Sequence, residues 1–100
     1  MIVNSSNFAQ EVLESSEPVL VAFWGEGCPP CKMMMPVVDA LAASGVKVAK
    51  VNAWAKENRD LASQHRVGAV PTILVFKNGE MTDRFTGIES EAALRAAADN

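Results

Sequence analysis

Cys28 and Cys31 are the only cysteines in this 100-residue chain, and Pro29 and Pro30 are all that separates them. Two thiols at that spacing suit thiol–disulfide exchange or half of a metal site. As a staple the pair would close a four-residue loop, for which the chain-entropy model gives about 2 kcal/mol, at the low end for disulfides. A chain that is 49% hydrophobic does not need it. A structural zinc takes four ligands, and beyond the two cysteines the chain offers only His65. A complete site would require a second copy. An inert buried pair is disfavoured, because two prolines are an odd start for a purely structural helix. Redox use is the expectation, with no bound metal.

The elements around the pair follow from pattern. Val19 to Trp24 is continuously apolar and rich in β-formers, which predicts a central strand buried on both faces. Gly25-Glu26-Gly27 reads as a turn, and Cys28 opens a helix running to about Ala43, with Pro36 inside it and Gly45 just past its end. A helix N-terminus presents unpaired amides and partial positive charge, which favours thiolate at the first cysteine. Cys28 is therefore the expected nucleophile. Cys31, one turn deeper, is the expected resolving thiol.

Upstream, Ile2-Val3 is a short apolar start. Asn4, Ser5 and Ser6 offer caps for a helix with Phe8, Val12 and Leu13 at helical spacing, ending at Glu17-Pro18. Downstream, Val46 to Val51 predicts a strand, Lys56 to His65 a short solvated helix, and Pro71 to Phe76 another strand. Asn78-Gly79 is a strong hairpin signal leading to an antiparallel edge over Glu80 to Thr86. Ser90 caps a last helix with Ala93, Leu94 and Ala97 facing inward. Strands alternating with helices imply parallel pairs and right-handed crossovers. This is an α/β chain with a central mixed sheet, and its length suits a single domain over residues 1–100.

Composition narrows the function classes. Nine basic against twelve acidic residues, net charge −3, gives no reason to expect nucleic-acid binding. The longest apolar run is six residues, far below the roughly 20 of a membrane span. Met1-Ile2-Val3-Asn4 carries no basic run, so no secretory leader is expected. Met33-Met34-Met35 cannot converge on one ion, since successive helical residues point about 100° apart; core packing is the better reading. His65 has no evident acid partner and reads as a surface helix residue.

The segment Phe23 to Met33 followed by Pro36 resembles the active-site segment of the thioredoxin family. Val67-Gly68-Ala69-Val70-Pro71-Thr72 and Phe76-Lys77-Asn78-Gly79-Glu80 resemble its other motifs at the expected separations. The resemblance implies a thioredoxin fold, about five strands flanked by about four helices. It also implies a protein-disulfide reductase cycling Cys28 and Cys31 through a mixed disulfide. Trp24, Gly27, Pro29, Pro30, Val70, Pro71 and Gly87 would form the substrate face. Pro71 matches the family's cis-proline, the Val70 backbone would pair with an extended substrate, and Gly87 matches the small residue bordering the groove. Partners would be protein disulfides and a thioredoxin-reductase-type donor, the location cytoplasmic and the state monomeric.

Four departures mark the chain. Ala22 stands where the family carries a buried aspartate, while its partner lysine is retained as Lys50. Losing that base is expected to slow resolution of the mixed disulfide, and losing the anion to lower both thiol pKa values. Water or Lys50 would then handle the proton. Gly27 replaces the family's tryptophan before the first cysteine, and Trp54 replaces an aspartate; Trp54 is expected to fill the vacated space. Pro29 replaces a glycine, so the potential should differ from the glycine-proline version. These changes also put recognition by a standard reductase in question, leaving a ferredoxin-linked, glutathione-linked or dedicated donor as alternatives. A disulfide oxidase or isomerase, or a non-catalytic binding subunit, are the competing functions.

Overall fold

A computed structural model describes residues 1–99. Four strands form one sheet: β1 (Val19–Trp24), β2 (Lys47–Asn52), β3 (Thr72–Lys77) and β4 (Glu80–Thr86), in the order β2-β1-β3-β4. β1 runs parallel to β2 and antiparallel to β3, and β3 antiparallel to β4. Three α-helices accompany them: α1 (Pro29–Ala43), α2 (Arg59–Gln64), which follows a 3-10 turn over Lys56–Asn58, and α3 (Glu91–Asp99). The parallel pair β1–β2 is joined through α1, as a parallel connection requires.

β1 is the axis of the fold. Its alternating side chains divide between two cores on opposite faces of the sheet. Val19, Val21 and Phe23 join Phe8, Val12, Val51, Leu61 and Leu74. Leu20 and Ala22 join Met34, Val38 and Leu41 of α1, with Ile73 and Leu94. The buried residues of α1, at 31, 34, 38 and 41, recur every three to four positions and so form one stripe. Burying a side chain of that size contributes roughly 1.5–3 kcal/mol. That stripe seats α1 on β1 and fixes where its N-terminus emerges. α1 continues through Pro36, and Ser44 and Gly45 close it.

The expected fifth strand shrinks to one bridge. Ile2 pairs in parallel with Lys50, supported by Val3 N–H donating to the Lys50 carbonyl at 2.8 Å. Three residues lie alongside β2 before Asn4 turns away, its carboxamide accepting from the Ser6 amide. The expected first helix is shorter than its apolar spacing suggests. Ala9–Leu13 forms a π-type turn with no side-chain cap; Phe8 and Val12 are buried, but Leu13 is exposed.

The hairpin between β3 and β4 turns at Asn78 and Gly79, both at positive φ, as its two-residue turn requires. In α3 the Ser90 hydroxyl accepts from the Ala93 amide at 3.1 Å, as expected. The inner face is Leu94, Ala97 and Ala98 rather than Ala93. His65 is half-buried: its ring stacks at a tilt on Phe8 and meets Phe76 edge-on. Of the three methionines, Met34 is 1% exposed and Met33 62%, so they diverge as expected.

Leu20 is fully buried and Leu13 is 39% exposed. Leu20→Ala should therefore cost about 2–5 kcal/mol in urea denaturation, and Leu13→Ala less than about 1 kcal/mol. Equal losses would contradict this division of the core.

Candidate active site

Pro29 and Pro30 fill the first two helical positions of α1, where their missing N–H groups would have had no intrahelical partner. Cys28 is the cap residue, extended at φ −103° and ψ 103°, as the residue before a proline prefers. The first amides the helix can offer are then those of Cys31 and Lys32. The Lys32 amide donates to the Cys28 carbonyl at 3.2 Å, and the Cys31 amide to Cys28 Sγ at 3.2 Å. The two cysteines form a disulfide, with their Cα atoms 5.3 Å apart. Cys28 is half-buried and Cys31 only 2% exposed. Cys28 is thus the more accessible of the two.

A second segment arrives from 42 residues away. Cys28 Sγ lies 3.6 Å from the Val70 carbonyl oxygen, and the Val70–Pro71 peptide is cis. Three contacts fix this loop. The hydroxyl of buried Thr72 donates to the Ala69 carbonyl at 2.7 Å. The Gly87 amide donates to the Pro71 carbonyl at 2.8 Å. The Arg84 guanidinium donates to the carbonyls of His65 and Arg66. Gly87 therefore stands beside Pro71, at φ +91° with open space where a side chain would be. Thr72 ends one of the motifs read in the sequence, but its bond to Ala69 does not show there, and Arg84 lies outside every motif. Their roles depend on carbonyls that only the folded chain brings within reach.

Behind the cysteines, Ala22 is 2% exposed and packs among apolar neighbours. Lys50 is its partner across β1–β2. The Lys50 ammonium is engaged by the carboxylate of Asp39 on α1, a partner to which no sequence motif points. Its stem still borders a groove of about 450 Å³ that also touches Trp24, Gly27, Met35 and Cys31. The lysine is thus neither a free surface cation nor bonded to a cysteine.

Trp54 does not occupy the space left at Gly27. Gly27 sits at φ +70° and a Cβ there would meet nothing within 4 Å. The Trp54 indole lies instead against Gly25, where a Cβ would overlap the ring. The reason is local: the Ala53 amide donates to the Trp24 carbonyl at 2.8 Å and the Trp54 amide to the Asn52 carboxamide. These bonds deliver the indole to the start of the turn rather than its end. Trp54 is 49% exposed.

Among the described residues no group of three or more His, Cys, Asp or Glu side chains is placed to hold a metal, and no helix is long and apolar enough to cross a membrane. The arrangement can carry out two-electron exchange between sulfurs.

Comparison with known proteins agrees. The thioredoxin family model matches residues 1–100. The chain is 44% identical over 100 residues to thioredoxin 1 of Synechococcus elongatus, covering 97% of this chain and 92% of that protein. It is 43% identical over 95 residues to a thioredoxin of Rickettsia felis, covering 92% and 89%. Its fold matches a mutant thioredoxin from Halobacterium salinarum NRC-1 with a TM-score of 0.88 at 33% identity, over 99% of this chain and 87% of that one. With the cysteine pair, the cis-proline loop and the sheet topology in place, these matches make the chain a member of the thioredoxin family and a thiol–disulfide oxidoreductase.

Proposed function

We propose that this oxidoreductase reduces protein disulfides with Cys28 as attacking thiolate and Cys31 as resolving thiol. The observation that carries the assignment is the asymmetry of the pair: Cys28 is half-buried and its Sγ receives the Cys31 amide, while Cys31 is buried. In the dithiol form that amide and the helix N-terminus stabilise negative charge on Cys28. The Cys28 thiolate attacks one sulfur of the substrate disulfide, forming a mixed disulfide and expelling the other sulfur as a thiolate that takes a proton from water. Cys31, deprotonated, then attacks Cys28 Sγ. The Cys28–Cys31 disulfide forms, the second substrate thiolate leaves, and two electrons have passed to the substrate. A partner reductase returns them.

The substrate face fits the same scheme. The Pro71 carbonyl is taken by the Gly87 amide, while the Val70 carbonyl lies beside the reactive sulfur. An extended substrate segment laid along Val70 would be held by backbone hydrogen bonds, with its cysteine over Cys28. Pro29, Pro30, Trp24 and Gly27 frame the approach, and the open space at Gly27 admits bulkier neighbours of the target disulfide. Trp54 shapes this face from the Gly25 side. We place the protein in the cytoplasm as a monomer, drawing electrons from a reductase adapted to this altered face.

With alanine at position 22, the Cys31 proton has no carboxylate behind it. Cys31 and Lys50 line one groove, and water entering along it would take the Cys31 proton. Ala22→Asp should speed resolution, read as release of the second product thiol in single turnover, by about ten- to a hundredfold near neutral pH. An unchanged rate across pH would overturn this account. The same variant should lose stability. Burial raises the aspartate's folded pKa above its unfolded value of about 3.9. The ionisation penalty is therefore absent below the unfolded pKa and grows as pH rises toward the folded one. Relative to the parent, urea denaturation should show roughly 2–4 kcal/mol less stability at pH 8 than at pH 3.

The reductase activity itself is tested with insulin and dithiothreitol. The parent protein should accelerate disulfide reduction well beyond the reductant alone, and Cys28→Ser should abolish the acceleration. No acceleration by the parent would overturn the proposed function.

A further inference from the structure

Separate from the groove that Lys50 borders lies another, of about 520 Å³, edged by Trp54, Arg59, Ser63, Arg66 and Gly68. Both charged residues on it are cations, although the chain as a whole carries −3. Both are exposed, and neither guanidinium has an acidic partner among the described residues. Arg59, Ala62 and Ser63 share one side of α2, with Asp60 about 100° around from Arg59. Arg66 reaches the same groove from just past the helix end, at φ +56°. Arg84, bonded to the carbonyls of His65 and Arg66, adds a third positive charge behind the rim.

The groove comes near the disulfide along the chain at two points. At one end the Trp54 indole rests on Gly25, three residues before Cys28. At the other, Gly68 is two residues before Val70, at most about 7 Å of chain, and the Val70 carbonyl is 3.6 Å from Cys28 Sγ. A substrate strand lying along Val70 therefore reaches this groove within a few residues of its attacked cysteine.

We infer that Arg59 and Arg66 are specificity determinants that select protein disulfides flanked by acidic residues two to four positions from the attacked cysteine. The inference rests on the reductase reading and names its substrate class. Two exposed guanidiniums without acidic partners in the chain attract such a segment as it docks, speeding encounter and slowing departure. Each exposed ion pair contributes modestly, so the effect is a preference rather than an absolute requirement.

The test uses three disulfide-bridged peptides identical except for Glu-Glu, Gln-Gln or Lys-Lys at those flanking positions. At low ionic strength kcat/KM should be about five- to tenfold higher for the Glu peptide than for the Gln peptide, with the difference in KM. The preference should collapse in high salt. Arg59→Gln with Arg66→Gln should remove it while retaining the rate on the Gln peptide, and Arg59→Glu with Arg66→Glu should transfer it to the Lys peptide. The Gln-peptide rate and circular dichroism report whether the variants fold, and each single variant should give an intermediate preference. Equal rates of the parent protein on the Glu and Gln peptides would overturn the docking inference. Failure to reduce any peptide would overturn the reductase reading instead.

Discussion

The site depends on the meeting of two chain segments at one sulfur atom. Cys28 Sγ receives the Cys31 amide from the start of α1 and lies against the Val70 carbonyl from the loop before β3. Neither segment holds that position alone. The start of α1 is placed by the stripe that includes Met34, Val38 and Leu41 against β1. The loop is held by β3, by Thr72, by Gly87 and by Arg84. Because β1 neighbours both β2 and β3, the central strand sets the distance between the two arrivals. The double proline tightens the arrangement further, since it leaves the Cys31 amide as the first helical donor able to reach the sulfur.

From that geometry the division of labour follows. Cys28 is the extended cap residue at the open end of α1, and Cys31 is the first residue of the stripe that packs on the sheet, so two chemically identical side chains acquire different access. On the proposed mechanism the half-buried Cys28 meets the partner disulfide, and the buried Cys31 acts on its neighbour. The apolar surroundings of Ala22 sharpen this. With alanine at position 22, no carboxylate stands behind Cys31 on the central strand, and Lys50 is paired with Asp39. On the proposed mechanism, attack and resolution then take place in separate surroundings, Cys28 at the helix end and Cys31 against the apolar core around Ala22.

Much of this is legible in the sequence because it is local. Val19–Trp24 and Glu80–Thr86 are strands over the expected residues, since a continuous apolar run and an Asn-Gly hairpin are short-range signals. Cys28 caps α1 because the residue before a proline is pushed to extended geometry. Periodicity overstates the first helix because Phe8, Val12 and Leu13 share a spacing that tertiary packing uses only in part. Ile2-Val3 has the residue types of a strand but room for one bridge. Trp54 lies at Gly25 rather than Gly27 because backbone bonds from Ala53 and Trp54 fix its origin. Asp39, Arg84, Arg59 and Arg66 carry no short-range signal. Their partners or their groove come from distant segments, and only the folded chain brings these together.

The central claim is the order of attack, and trapping tests it most directly. Cys31→Ser removes the resolving thiol and should accumulate a mixed disulfide through Cys28 when mixed with a substrate disulfide, visible by mass spectrometry and reversed by dithiothreitol. Cys28→Ser, which leaves only the buried thiol, should accumulate none. A mixed disulfide through Cys31 in the second variant at a rate similar to the first would contradict the assignment.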